Sequence, residues 1–368
     1  MLLLVTALSF QAAFAVPFPP PTGPYHVGYS QFVFDHTTQH DPLAPQNASF
    51  LLATVYYPTL SVPITGINTA PYSDVITAKS WGVQFELPSS ALPSLTTWNV
   101  LDAPPFDEAT HSTSRKPTVI FSPGAQQNAI MYNWLNADLA SQGFTVFALD
   151  HPGEAPYLQL PDRPGIYAAY SSDDWTRSML DAVYRVRVSD MLALICEIPS
   201  YTAARGAPFN TSHFIAIGHS LGGAAAAEVL AVSDAVVGGI NLDGLFIDTP
   251  DVGKPFLMVA SEPHTPARDA TWAPFSANKS GEYAWFNITG SVHEDFADVG
   301  DWVDLLGLRN QTIAPLLGTV WGPRMNVIVQ TTVQAFLRLL LGHKELTSGL
   351  FPIFPELVYL NGSSEVAG

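Results

Sequence analysis

An α/β fold, with a mostly parallel central sheet flanked by helices on both faces, is predicted by three observations. Strand-like and helix-like runs alternate from about residue 117 onward. The strand runs are short and apolar, as buried strands are. Apolar residues make up 47% of the 368, enough for a large core. An α/β chain of this length is often one domain with insertions, so residues 16–368 are expected to form a single domain.

The first element is MLLLVTALSFQAAFA at 1–15, apolar and ending in the small-x-small pattern Ala13-Phe14-Ala15, with VPFPPPTGP directly after it. It is short for a bilayer span and is read as a signal peptide cleaved near Ala15. FVFD and FLLATVYYP follow as strands that begin the sheet in antiparallel fashion. Residues 60–116 are rich in Pro, Ser and Thr with weak periodicity. They form an excursion that either covers the active site or runs as a surface loop. TVIFS at 118–122 is a strand, IMYNWLNADLASQG a helix ending at Gly143, and FTVFALD at 144–150 a strand. A long helix is expected near 173–197, then strands FIAIG at 214–218 and VVGGINLD at 236–243 with a helix between them. Strands PFLMVAS at 255–261 and YAWFNIT at 283–289 and a final helix over about 324–342 complete the alternation.

Charge narrows the partners. Thirty-two acids against 15 bases give a net charge of -17, which argues against a nucleic-acid partner and against docking on anionic membranes. A lipid substrate is then neutral or zwitterionic, and contact with lipid surfaces at most transient. Nothing in the sequence assigns an oligomeric state. Asn47, Asn210, Asn278, Asn287, Asn310 and Asn361 each open an N-x-Ser/Thr sequon, which together with the leader predicts an extracellular glycoprotein. The single cysteine, Cys196, has no intramolecular disulfide partner and is expected to be a buried thiol on the long helix.

The central chemical signal is Gly218-His219-Ser220-Leu221-Gly222-Gly223. The G-x-S-x-G pentapeptide alone is weak. Here a strand (HFIAIG) enters it and a helix (LGGAAAAEVLAV) leaves it, the context of a nucleophile elbow. The serine of such a turn is strained, and side chains two residues to either side would collide with the neighbouring chain. Ser220 is the candidate nucleophile.

A serine hydroxyl needs an oriented base. In elbow enzymes the chain order is Ser, then Asp or Glu, then His. His264, His293 and His343 lie downstream. His293 sits in GSVHEDF directly after a strand and is the candidate base; His264 stands among prolines with little room for an acid before it. His343 follows the last helix and reads as a surface residue. Position leaves the acid open between Asp243, at the end of one strand, and Glu262, at the end of the next, with Asp248 and Asp251 between them. The oxyanion hole is expected to use the N–H of Leu221 and that of Ala125 in the loop SPGAQQ, with Gln126 next in line. Such a site calls for no cofactor and no metal.

YYP at 56–58, KPTVIFSPG, DLASQGFTVFALDHPG, GHSLGG, INLDGLF and GSVHEDFAD together cover most of residues 50–300. On these stretches the chain resembles the platelet-activating-factor acetylhydrolase family, secreted fungal relatives included, within the α/β-hydrolase superfamily. The resemblance implies an α/β-hydrolase fold, Asp243 as the acid and His293 as the base. It also implies a serine esterase acting on the sn-2 acetyl or short acyl group of phospholipids. The chain has Ser122-Pro123-Gly124 where the family often has Ser-His-Gly, and Ala125 where a larger apolar residue is common, which predicts a wider acyl site. The alternatives are a broad extracellular carboxylesterase, lipase or polyester hydrolase, and a non-catalytic secreted binding protein. The last would show a broken elbow or a missing triad member, and neither is seen.

Weaker signals receive structural readings. His36 and His40 in HTTQHDP lie in a polar loop rather than a metal site. Asp295, Asp298, Asp301 and Asp304 recur every third residue, which predicts a solvated helix face. Tyr72, Trp81, Phe85 and Trp98 are expected to pack the excursion onto the core, and His151 to be a hydrogen-bonded structural histidine.

Overall fold

Each strand at the centre of the sheet sends alternate side chains into two separate cores. Val119 and Phe121 point to one face and Ile120 to the other; Ile215 and Ile217 oppose Phe214 and Ala216 in the same way. A computed structural model describes residues 15–43, 49–106, 116–170, 174–309, 316–343 and 353–363. All of the expected leader except Ala15, together with Asn47 and Asn310, lies outside the described residues.

The first half contributes strands β1 (Val16–Pro17), β2 (His26–Asp35), β3 (Phe50–Thr59), β4 (Thr69–Pro71), β5 (Leu95–Leu101), β6 (Thr118–Ser122) and β7 (Val146–Asp150). A two-stranded ribbon of β8 (Tyr157–Leu158) and β9 (Ile166–Tyr167) follows. The second half adds β10 (Phe214–His219), β11 (Val236–Leu242), β12 (Phe256–Ser261), β13 (Tyr283–Ile288) and β14 (Leu357–Gly362). Among the described residues the main sheet runs β1-β5-β2-β3-β7-β6-β10-β11-β12-β13-β14, with β4 paired to β5. From β7 to β13 every neighbouring pair is parallel, while β2, β3 and β7 pair antiparallel, as the sequence predicts.

Helices α1 (Val75–Gln84), α2 (Asn133–Ser141), α6 (Val299–Leu305) and α7 (Gly322–Leu340) bury side chains in one core. Helices α3 (Arg177–Arg205), α4 (Leu221–Val232) and α5 (Trp272–Asn278) fill the other. This is the two-faced α/β layering expected. No helix among the described residues is long and apolar enough to cross a membrane.

Four expectations are corrected. Among the described residues of this segment, 60–106 do not cover Ser220: β4, α1 and β5 extend the far edge of the sheet, and Tyr72, Trp81 and Phe85 are buried in its core, with Trp98 half-buried. Helix α3 does not stop near residue 197. It runs through Pro199 to Arg205 and ends at Gly206, whose φ of 58° supplies the left-handed cap. Cys196 on that helix is exposed rather than buried, because the residues facing the core there are Leu194, Ile195 and Ile198. The aspartates beginning at Asp295 are not solvated: Asp295, Asp298 and Asp301 are buried, and the Asp304 side chain is covered and paired with Arg309. The sequence also gave no sign of β14, which pairs antiparallel with β13.

Of the sequons, Asn278 and Asn361 are exposed and Asn210 is half-buried. Asn287 is buried within β13, and its Nδ2, the atom a glycan would need, donates to the carbonyls of Ser261 and Glu262. Asn287 is therefore withdrawn as a glycan acceptor in the folded chain.

Candidate active site

Strand β10 delivers Ser220 into the turn before α4. The serine has φ 54° and ψ −124°, a strained conformation that lifts its hydroxyl above the sheet. The turn tolerates no bulk beside it. A Cβ on Gly218 would stand 2.2 Å from the backbone of Gly222, and one on Gly222 would stand 2.2 Å from the carbonyl oxygen of Ser122. The close quarters predicted for these two glycines are present.

Three strand ends bring the candidate residues together. His293 Nε2 lies 3.0 Å from Ser220 Oγ, and His293 Nδ1 lies 2.6 Å from Asp243 Oδ2. Asp243 follows β11, itself at a positive φ of 54°, in a turn held by the Asn241 side chain bonding both backbone groups of Gly244. His293 follows β13 in a short 3₁₀ turn over 293–296. Buried Asp295 fixes that turn by accepting from the N–H groups of Val292 and Gly318, at 2.7 and 2.9 Å. Glu262 lies outside this arrangement; it is exposed and accepts from the N–H of Gly290. His343 is exposed beyond α7.

The electrostatics follow from these contacts. Burial pushes the Asp243 carboxyl up, but hydrogen bonds from His264 and His293 outweigh it and hold the group far below the usual carboxylate range. Burial works against protonation of His293, and the Asp243 carboxylate overcomes it, raising the imidazole above its ordinary value. His219, inside the elbow, is pushed well down by burial and is neutral. Its Nδ1 meets the Tyr132 hydroxyl at 2.6 Å, and its ring lies 4.5 Å from that of His293.

The SPGAQQ loop is braced from below. Arg187, fully buried on α3, makes a two-pronged pair with Glu154 at 2.9 and 2.5 Å. It also donates to Ser122 Oγ and to the carbonyls of Pro123 and Gly124. The N–H of Gly124 donates to Tyr132 and that of Gln126 to Glu154. Of these three successive amides, only that of Ala125 has no acceptor among the described residues, and Ala125 lines the cavity beside Ser220 and Leu221. The N–H of Leu221 precedes the hydrogen bonds of α4, which begin with Gly223 and Ala224 donating to the Ser220 carbonyl. His151 is buried, bonded to Ser122 and Asp190, and does not line the cavity.

That cavity holds about 570 Å³. Leu180, Leu245 and Ile247 form an apolar wall; His264, Asp269 and Arg268 form a polar one. Sequence reasoning missed two features. His264 joins Asp243, and Asp269 joins His264, contacts that only the packing of three loops creates. Arg187 is one of several arginines on α3, and only the packing shows that it is the buried one.

A strained serine facing a histidine that is itself paired to a carboxylate is the arrangement of hydrolases that use a serine nucleophile. The chain belongs to the α/β-hydrolase family, whose model matches residues 119–349. It is similar to a protein of Arthroderma benhamiae named "Probable 1-alkyl-2-acetylglycerophosphocholine esterase", 24% identical over 267 residues. That match covers 67% of this chain and 66% of the relative's length, a little under two thirds. Among solved structures it is similar to a ferulic acid esterase from Streptomyces cinnamoneus. The two are 25% identical with a TM-score of 0.77, over 95% of this chain and all of the other.

Proposed function

We propose that this chain is an exported serine esterase that cleaves short-acyl carboxylic esters, with the sn-2 acetyl or short acyl group of a phospholipid as its substrate. The observation that carries the reading is His293 standing between Ser220 Oγ at 3.0 Å and Asp243 at 2.6 Å beside an open cavity. Ser220 Oγ attacks the ester carbonyl while His293 Nε2 takes its proton. The oxyanion forms against the N–H groups of Leu221 and Ala125. His293 returns the proton to the departing alcohol, leaving an acyl-Ser220, and then activates the water that hydrolyses it. Asp243 orients the imidazole and stabilises its protonated form. This chemistry uses no cofactor.

The phospholipid reading rests on the family resemblance, on the Arthroderma relative's name and on the two-sided cavity. Apolar Leu180, Leu245 and Ile247 suit an acyl or alkyl chain. Arg268, which has no ion-pair partner among the described residues, is a cation suited to a phosphate in a chain of net charge -17. A second reading, a broader carboxylesterase, draws on the cavity volume and on the Streptomyces structure.

The test uses purified protein and Ser220→Ala on p-nitrophenyl esters from acetate to palmitate, on a short sn-2 acyl phosphocholine and on methyl ferulate. Hydrolysis of acetate and the phospholipid, abolished in the variant, is expected. A preference for long chains or for ferulate with the phospholipid untouched moves the enzyme to the broader class. Equal activity of variant and wild type removes Ser220 from the chemistry.

A further inference from the structure

Asp243 serves two imidazoles. Its Oδ2 faces His293, while Oδ1 accepts from the Ser261 N–H at 2.6 Å and meets His264 Nδ1 at 2.9 Å. The other nitrogen of His264, Nε2, lies 2.5 Å from Asp269 Oδ2. The ring packs on Trp272, centroid to centroid 4.6 Å. A neutral imidazole has one donor nitrogen and one acceptor, and an ionised carboxylate only accepts. A ring with a carboxylate at each nitrogen must therefore carry both protons.

We propose that His264 is an imidazolium locked between Asp243 and Asp269, a positioning residue that orients Asp243 and offsets its negative charge at His293. The charged groups facing it are Asp243 from the turn after β11, Asp269 from its own loop and His293 from the turn after β13. Arg268 lines the same cavity. Burial works against the charge on His264, but the two carboxylates overcome it and raise the imidazole to about 9.

Asp243 divides its two oxygens between two tasks. With Oδ1 engaged by the Ser261 amide and the His264 cation, less negative charge bears on His293 through Oδ2. Without that cation, Asp243 holds a proton on His293 more strongly. Because His293 must be neutral to accept the Ser220 proton, losing the cation moves the onset of activity to higher pH. The second histidine thus keeps the base usable at lower pH than the Asp243–His293 pair alone would allow.

The proposal rests on the roles given to Asp243 and His293 above, and its test separates the two. The acid limb of kcat/KM for p-nitrophenyl acetate is measured in wild type, His264→Gln and Asp269→Asn, with thermal melting as a check on folding. His264→Gln keeps a donor but no charge, and its acid limb is expected to rise by about one pH unit. Asp269→Asn keeps the ring, shifts the limb by less, and carries the kinetic test if the glutamine variant does not fold. Independently of turnover, proton–nitrogen correlation NMR of the imidazoles at pH 7 is expected to show both His264 nitrogens protonated. A neutral His264 at pH 7 overturns the proposal. A uniform loss of rate with an unmoved acid limb overturns its electrostatic part, and activity surviving in Ser220→Ala overturns the underlying roles instead.

Discussion

Asp243 and Asp301 are both buried carboxyls, and their surroundings push them in opposite directions. Asp243 meets two imidazoles and the Ser261 amide, and these partners outweigh burial and hold it ionised. Asp301 is offered one neutral donor, Asn326 Nδ2 at 2.6 Å, and its Oδ1 has no hydrogen-bond partner among the described residues. Burial therefore wins and lifts it to about 7. Asp298, bonded by the Tyr72 hydroxyl and the Trp134 amide, is raised further by burial and by the nearby Asp301. Burial penalises the charged form of every carboxyl, and the partners decide the outcome. Asp243 stays ionised beside the histidines of the site, whereas Asp298 and Asp301 are raised where the start of α6 packs against α2 and α7.

The linkage signs differ accordingly. Asp243 has a folded pKa below its unfolded one, so its contribution to stability is present above the unfolded value and is lost as pH falls. Asp301 is raised from 3.8 to about 7, so its contribution is present below about 4 and is lost as pH rises through 7.

The contrast can be broken at several points. Asp243→Asn should have the largest effect, a fall in kcat on the order of 10⁴ from losing the imidazole's orientation and its countercharge. Steady-state hydrolysis of p-nitrophenyl acetate measures it, and a loss below tenfold would remove Asp243 as the acid. Glu154 is a third kind of buried carboxylate, ion-paired to Arg187. Arg187→Met strands that charge under the oxyanion loop and should cost about 3–5 kcal/mol in urea unfolding. A variant as stable as wild type would mean that Glu154 finds another proton or partner.

Asp301→Asn should leave ester hydrolysis unchanged and alter only the pH dependence of melting. The difference in Tm between wild type and variant should grow by a few degrees in the variant's favour between pH 4 and 7, then level off. A constant difference across that range would place Asp301 among ordinary carboxylates. The last expected effect is that of Tyr72→Phe, which takes one donor from Asp298 and leaves the buried Trp302 Nε1–H without its acceptor. A loss of about 2 kcal/mol, again by urea unfolding, is its expected measure.

These same residues mark how far the sequence could be read. The elbow at 218–223 was legible because its constraints are local: a strand before, a helix after, and glycines where neighbouring backbone closes in. His293 was legible from its place after a strand in the second half of the chain. Asp243 was not separable from Glu262 by position, since both end strands, and the family resemblance had to choose. The spacing of Asp295, Asp298 and Asp301 resembled a solvated helix face because sequence periodicity reports a residue's phase and not what covers it. Their cover comes from distant partners, Tyr72 and Trp134 above Asp298 and Asn326 beside Asp301.

The sequence by itself determined the α/β layering, the parallel run from β7 to β13 and the turn that carries Ser220. Each of these follows from short-range pattern, hydrophobic period and backbone sterics. Tertiary structure alone decided that β4, α1 and β5 widen the sheet instead of covering the site, that Cys196 faces solvent, and that His264 and Asp269 stand behind Asp243. Those outcomes depend on which surfaces meet, and residues far apart in the chain acquire a shared dielectric and a shared proton only once the loops after β11, β12 and β13 converge.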